Sequence, residues 1–135
     1  MRALLDVNVL IAGLLSRTGS PARLLGKWLE GEFELVISDL LLDELEKTLA
    51  RPKLRRLLDD DEISAFLELL RGGLADWVED PEEPPSVKSR DPKDDYLIAA
   101  ARSAQATLVT GDADLLELSG SIPVMSPRAF LETLE

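Results

Sequence analysis

The sequence predicts an α/β fold in three layers, with a central, mostly parallel β-sheet flanked by helices. Short apolar segments alternate with helical patterns along the chain. These segments lack the two-residue alternation of half-exposed strands, which is typical of parallel strands covered on both faces. With 135 residues, of which 45% are hydrophobic and 30% charged, the chain suits one globular domain over residues 1–135.

The first half of the chain predicts two strands, each followed by helical segments. A strand over 2–7 leads into the helix "NVLIAGLLS", and Ser20 with Pro21 is typical of an N-cap that starts the helix "ARLLGKWLEG". The strand "FELVIS" is followed directly by the helix "DLLLDELEKTLAR". The basic segment "RPKLRRLLDD" is predicted as a Pro-interrupted turn, and "DDEISAFLELLRGG" as a helix that ends at two glycines.

The second half continues the alternation. A short strand, "LADWVE", precedes the loop "DPEEPPSVKSRDPKD", which is acidic first and basic later. The remaining elements are the helix "DDYLIAAARSAQ", the strand "ATLVTG", a short helix "DADLLEL", the strand "IPVMS" and a helix that begins at Pro127. Alternating elements of this kind favour a parallel sheet with crossover helices.

The composition limits the chemistry. The chain has no Cys and no His, which excludes disulfides and thiolate or imidazole ligands, so acid–base or metal chemistry depends on carboxylates. No apolar run approaches the roughly 20 residues of a membrane span, so we expect no membrane segment and a cytoplasmic location. The net charge of −11 argues against a broad nucleic-acid surface and favours a metal-dependent site or a basic partner.

Polar residues stand at three predicted strand ends, where open α/β sheets bind ligands. They are Asp6 and Asn8, then Ser38 and Asp39, then Thr110 and Asp112. For any single one of them, a helix cap or a solvated turn is the simpler explanation.

Helix geometry separates neighbouring acids. On a helical wheel Glu44 falls within the apolar arc of its helix, whereas Asp43 lies outside it. Asp94 points with the core-facing residues of the later helix, and Asp95 lies on the solvent side beside Arg102, with which it could pair. An N-cap role for Asp94 is compatible with this placement.

Asp6, Glu44, Asp94 and Asp112 thus each adjoin apolar surface from distant parts of the chain. Four carboxylates brought together would repel one another, and a hard divalent cation would remove that repulsion. Ligation by oxygen alone suits Mg²⁺ or Mn²⁺, and such a cluster fits phosphodiester hydrolysis with one or two ions.

The sequence resembles the PIN-domain ribonucleases, and especially the VapC-like toxin components of toxin-antitoxin systems. The resemblance rests on "LLDVNVLIAGLL", "FELVISDLLLDELEKTLARPKL", "RDPKDDYLIAAA" and "ATLVTGDADLL", which follow one another in order over nearly the whole chain. It implies a PIN-like fold and a metal-dependent endonuclease that hydrolyses RNA, the toxin of a type II toxin-antitoxin pair.

The resemblance also implies roles for particular residues. Asp6, Glu44, Asp94 and Asp112 correspond to the family's metal ligands, although the family pattern also accepts Asp95 as the third ligand. Asn8, Ser38 and Thr110 match polar positions that would orient the carboxylates, and Asp95 joins them if Asp94 is the ligand; Asp114 is a further outer candidate.

Partners follow from the same resemblance. Basic residues would guide RNA past an acidic centre: Arg51, Lys53, Arg55, Arg56, Lys88, Arg90 and Lys93. A cognate antitoxin with a basic segment and a homodimer are expected, and "AFLELL" is compatible either with a dimer face or with a core-facing stripe. The alternative function is a catalytically silent PIN-like module that binds RNA or protein. A receiver domain is disfavoured, because Thr110 and Gly111 stand where it would carry a Lys.

Overall fold

A computed structural model describes residues 1–135 and contains a five-stranded sheet in which every neighbouring pair is parallel. The strands run in the order β3-β2-β1-β4-β5. Their bounds are β1 Arg2–Leu5, β2 Glu34–Ile37, β3 Asp76–Trp77, β4 Thr107–Val109 and β5 Val124–Met125. The predicted α/β class with its parallel sheet is confirmed.

Eight α-helices connect and cover the strands. They are α1 Val7–Leu15, α2 Ser20–Leu29, α3 Asp39–Leu49, α4 Pro52–Leu57, α5 Asp60–Arg71, α6 Asp95–Ser103, α7 Ala113–Leu116 and α8 Pro127–Leu134. Two 3₁₀ turns, Pro92–Asp94 and Glu117–Gly120, precede α6 and follow α7. No helix combines the length and the apolar character that a membrane crossing requires.

Three local predictions were wrong. The segment predicted as a basic turn contains α4, because Pro52 occupies the first helical turn, where its missing N–H costs nothing, and so starts a helix. The N-cap of α2 is Gly19 rather than Ser20. The strand β3 has two residues instead of the predicted six.

One hydrophobic cluster of 34 buried residues lies between the sheet and the helices. Phe33 and Phe130 meet edge to face there, with ring centroids 5.3 Å apart. Phe66 and Leu70 of "AFLELL" are buried in this cluster, so α5 directs its apolar stripe into the core of its own chain.

Candidate active site

The strand order reverses at β1, which has β2 on one side and β4 on the other. Ligands bind at such switch points, outside the carboxyl ends of the strands. A cleft of about 530 Å³ opens here, and Asp6, Glu44, Asp94 and Asp112 all line it. The structure therefore brings together the four acids that were singled out from distant parts of the sequence.

Asp6 stands directly after β1 and is 5% exposed. Its backbone N–H donates to the carbonyl of Val109 at 3.0 Å, which sets the end of β1 level with the end of β4. One carboxylate oxygen caps α1 by accepting the Val9 N–H at 2.8 Å, and the other accepts the hydroxyl of Thr110. Burial raises the pKa of Asp6, and these hydrogen bonds offset only part of that rise.

Thr110 links two of the acids. Its side chain is fully buried, and its Oγ1 donates to Asp6 while accepting the backbone N–H of Asp112 at 3.0 Å. Asp112 in turn caps α7 by accepting the N–H of Asp114 at 2.9 Å. The threonine hydroxyl thus fixes the orientation of Asp6 and the backbone position of Asp112.

Asp94 occupies the 3₁₀ turn before α6 and makes no side-chain capping bond. Burial, as the largest cause, and then the negative charges of Asp112, Asp91, Asp6 and Asp95 together raise the pKa of Asp94 to about 6. Asp94 thus lies near enough to Asp112 and Asp6 for their charges to act on it.

Glu44 belongs to α3, the helix that follows β2, and is exposed to solvent in the cleft. Tyr96 shares the cleft, and burial together with the charges of Glu44, Asp94 and Asp6 raises the pKa of its hydroxyl. The hydroxyl therefore stays protonated at neutral pH and can donate a hydrogen bond.

The other predicted polar residues divide into two groups. Asn8 lines the cleft with the acids. Ser38 does not, because its buried hydroxyl caps α3 by accepting the Leu41 N–H at 3.3 Å. Asp95 lies outside the cleft as well and accepts the Ser89 N–H at 2.9 Å rather than pairing with Arg102.

Residues 2–114 match the family model described as PIN domain. The chain belongs to the PIN domain family. An uncharacterised protein of Methanocaldococcus jannaschii, MJ1680, is 26% identical over 146 aligned positions that cover 100% of this PIN domain chain and 92% of that protein.

Two crystal structures share the PIN fold of this chain. PAE2754 from Pyrobaculum aerophilum superposes with a TM-score of 0.65 at 21% identity, covering 99% of this chain and 95% of that one. VapBC2 from Rickettsia felis, solved bound to a DNA fragment from its promoter, superposes with a TM-score of 0.63 at 17% identity, covering 93% and 98%. PIN domains are generally nucleases, and the family predicted from the sequence is confirmed.

The carboxylate oxygens that line the cleft of this PIN domain are chemically suited to bind a hard divalent cation. No group of three or more of its acids is already arranged to hold a metal ion. Burial, together with neighbouring carboxylates, raises the pKa of Asp6 and of Asp94, and a cation beside them would favour their ionised forms. Six carboxylates and no His or Cys line the cleft, and carboxylate oxygens are the ligands that Mg²⁺ and Mn²⁺ prefer.

Sequence reasoning missed five polar cleft residues, Asp43, Lys47, Thr48, Asp91 and Tyr96, and the helical wheel was wrong to set Asp43 apart from Glu44. A signal was available for Lys47, since it follows Glu44 by three residues and therefore shares its side of α3. No comparable signal existed for Asp91, because the 3₁₀ turn that it caps was predicted as loop.

Proposed function

We propose that the chain is an Mg²⁺- or Mn²⁺-dependent endoribonuclease in which Asp6, Glu44, Asp94 and Asp112 hold the metal. The observation that carries this proposal is the convergence of the four acids on one cleft at the switch point of the sheet. A bound divalent cation would offset the charge that develops on the phosphoryl group and acidify the attacking water.

The residues of the chain prepare the site for that ion. Thr110 holds the Asp6 carboxylate with one oxygen turned toward it, while the Val9 N–H occupies the other oxygen. Leu97 and Leu115, both buried, line the cleft beside the acids. Asp6 is itself only 5% exposed, so a cation bound to it would be partly withdrawn from solvent, where charge interactions are stronger than in bulk water.

Cleavage of a labelled single-stranded RNA tests the proposal. We expect cleavage by the wild type with Mn²⁺, no cleavage with EDTA, and loss of cleavage in Asp6→Asn and Asp94→Asn. The adjacent acid provides a matched control, because Asp95→Asn changes the same charge outside the cleft and is expected to remain active. Equal cleavage by all variants would refute the assigned site, and RNA binding without cleavage by the wild type would indicate the silent binding module.

We propose further that the chain is the toxin of a type II pair. The VapC-like motifs of the sequence and the shared fold with VapBC2 support this assignment. The acidic cleft would accept a basic segment of a cognate antitoxin, and light scattering after gel filtration should give twice the 14.8 kDa of one chain if the toxin is a homodimer. Growth arrest on expression of the wild type but not of Asp6→Asn is the expected result.

A further inference from the structure

Three cations line the cleft together with the acids: Lys47, Arg51 and Lys93. Lys47 lies in the last turn of α3, and Arg51 lies in the connection between α3 and α4. Lys93 comes from a different part of the chain, the 3₁₀ turn before α6. Two separate segments therefore deliver positive charge to the rim of one acidic cleft.

These three cations form no ion pair, although the chain carries 26 acids. Lys47 follows Glu44 by three residues and Asp43 by four, the spacings at which helical ion pairs form.

Some cations on neighbouring segments are paired: Arg55 with Asp60, and Arg90 with Glu117 at 3.1 Å. Others, such as Lys53 and Arg56, are unpaired but lie outside the cleft. Lys47, Arg51 and Lys93 differ from both groups because they are unpaired and stand beside the candidate metal ligands.

We propose that Lys47, Arg51 and Lys93 form a phosphate-binding rim that holds the backbone of single-stranded RNA on both sides of the cleaved linkage. The inference rests on the proposed function and names how that site takes its substrate. A polyanion with regularly repeated charges can contact cations on two walls at once, and phosphate contacts position the strand without reading its sequence. The three residues position the substrate and take no part in the chemical step.

The experiment compares two triple variants of equal charge. Lys47→Ala/Arg51→Ala/Lys93→Ala removes the rim, and Arg17→Ala/Arg102→Ala/Arg128→Ala removes three exposed cations that lie outside the cleft and were not assigned to RNA. Binding of a labelled oligouridylate is followed by anisotropy in Ca²⁺ between 50 and 200 mM KCl, and cleavage kinetics are measured in Mn²⁺.

We expect the rim variant to bind roughly tenfold more weakly, because it loses three exposed ion pairs with phosphates that are each worth about a twofold change in affinity. The slope of log K against log[salt] should shrink by about 2, from roughly 0.7 for each lost phosphate contact. KM should rise by a similar factor while kcat stays within about twofold, and the control variant should match the wild type in all three quantities.

Equal losses in both variants would overturn the proposal, because they would indicate long-range charge rather than a rim. Wild-type-like binding and KM in the rim variant would also overturn it while leaving the nuclease assignment standing. Rim-dependent binding without any cleavage by the wild type would support the rim and refute the nuclease. A polyglutamate peptide of equal length should bind at least tenfold more weakly than the RNA; equal binding would assign the rim to an acidic protein partner and refute the RNA proposal.

Discussion

Replacing Asp94 with Asn should stabilise the chain in metal-free buffer, because the fold disfavours the ionised form of this carboxylate. The pKa of Asp94 rises from 3.8 to about 6 in the folded chain, chiefly through burial and then through neighbouring carboxylates. The folded state therefore binds this proton more tightly than the unfolded state. The free energy of unfolding therefore falls as pH rises from about 4 to about 6. Above that range the chain bears the full cost of ionising Asp94 in the folded state.

The size of the effect follows from the shift. A change of about two pKa units corresponds to about 3 kcal/mol, and solvent screening of this half-buried group reduces the net cost to about 1 kcal/mol. For a chain of 135 residues such a gain raises Tm by about 3–4 °C. Asp94→Asn should show this increase at pH 7.5, and the increase should vanish near pH 4, where the wild-type carboxyl is protonated in both states.

Thermal melts in EDTA at the two pH values make the measurement, with Asp95→Asn as the matched control. The control should gain nothing, because Asp95 accepts the Ser89 N–H and serves the loop before α6. Added Mn²⁺ should raise the Tm of the wild type but not that of Asp94→Asn, since a ligand stabilises only the state that binds it. A lower Tm for Asp94→Asn at pH 7.5, or an equal gain at both pH values, would refute the electrostatic reasoning.

Three further outcomes test the surroundings of the site. Thr110→Val should cost about 1–3 kcal/mol in urea unfolding and lower the cleavage rate, because it leaves Asp6 without its buried donor, and Thr110→Ser should restore both. Ser38→Ala should cost about 1 kcal/mol through the lost cap on the Leu41 N–H, with kcat unchanged; a large fall in kcat would show that Ser38 acts on the site after all. Phe130→Ala should cost about 3–5 kcal/mol by opening the core, and a loss below about 1 kcal/mol would contradict its packing.

The wheel argument separated one pair of neighbouring acids and failed for the other. It placed Glu44 within the apolar arc of α3 and Asp43 outside it, whereas both are exposed and both line the cleft, because Leu40, which bounds that arc, is itself 46% exposed. The same logic separated Asp94 from Asp95, which the structure places on different surfaces. Strand ends were equally informative, because the parallel register of β1 and β4 brings Asp6 and Thr110 side by side.

Prediction failed where one residue type serves two purposes. Serine after a strand is both a donor toward a site and a helix cap, and the choice for Ser38 depends on how α3 leaves β2, which local sequence does not encode. Proline in a basic segment breaks a helix in its interior but starts one in its first turn, and only the second applies to Pro52.

The net charge of −11 is compatible with a polyanionic substrate because charge acts locally in this molecule. The Debye length at physiological salt is about 8–10 Å, so acids on distant faces are largely screened from a strand in the cleft. Within the cleft, a bound divalent ion would offset two of the carboxylate charges, and the unpaired Lys47, Arg51 and Lys93 add three positive charges at the rim. Elsewhere cations such as Arg2, Arg23 and Arg71 are held in ion pairs with acids. The overall acidity therefore disfavours RNA on the rest of the surface, and the cleft is where exposed, unpaired cations stand beside the candidate metal ligands.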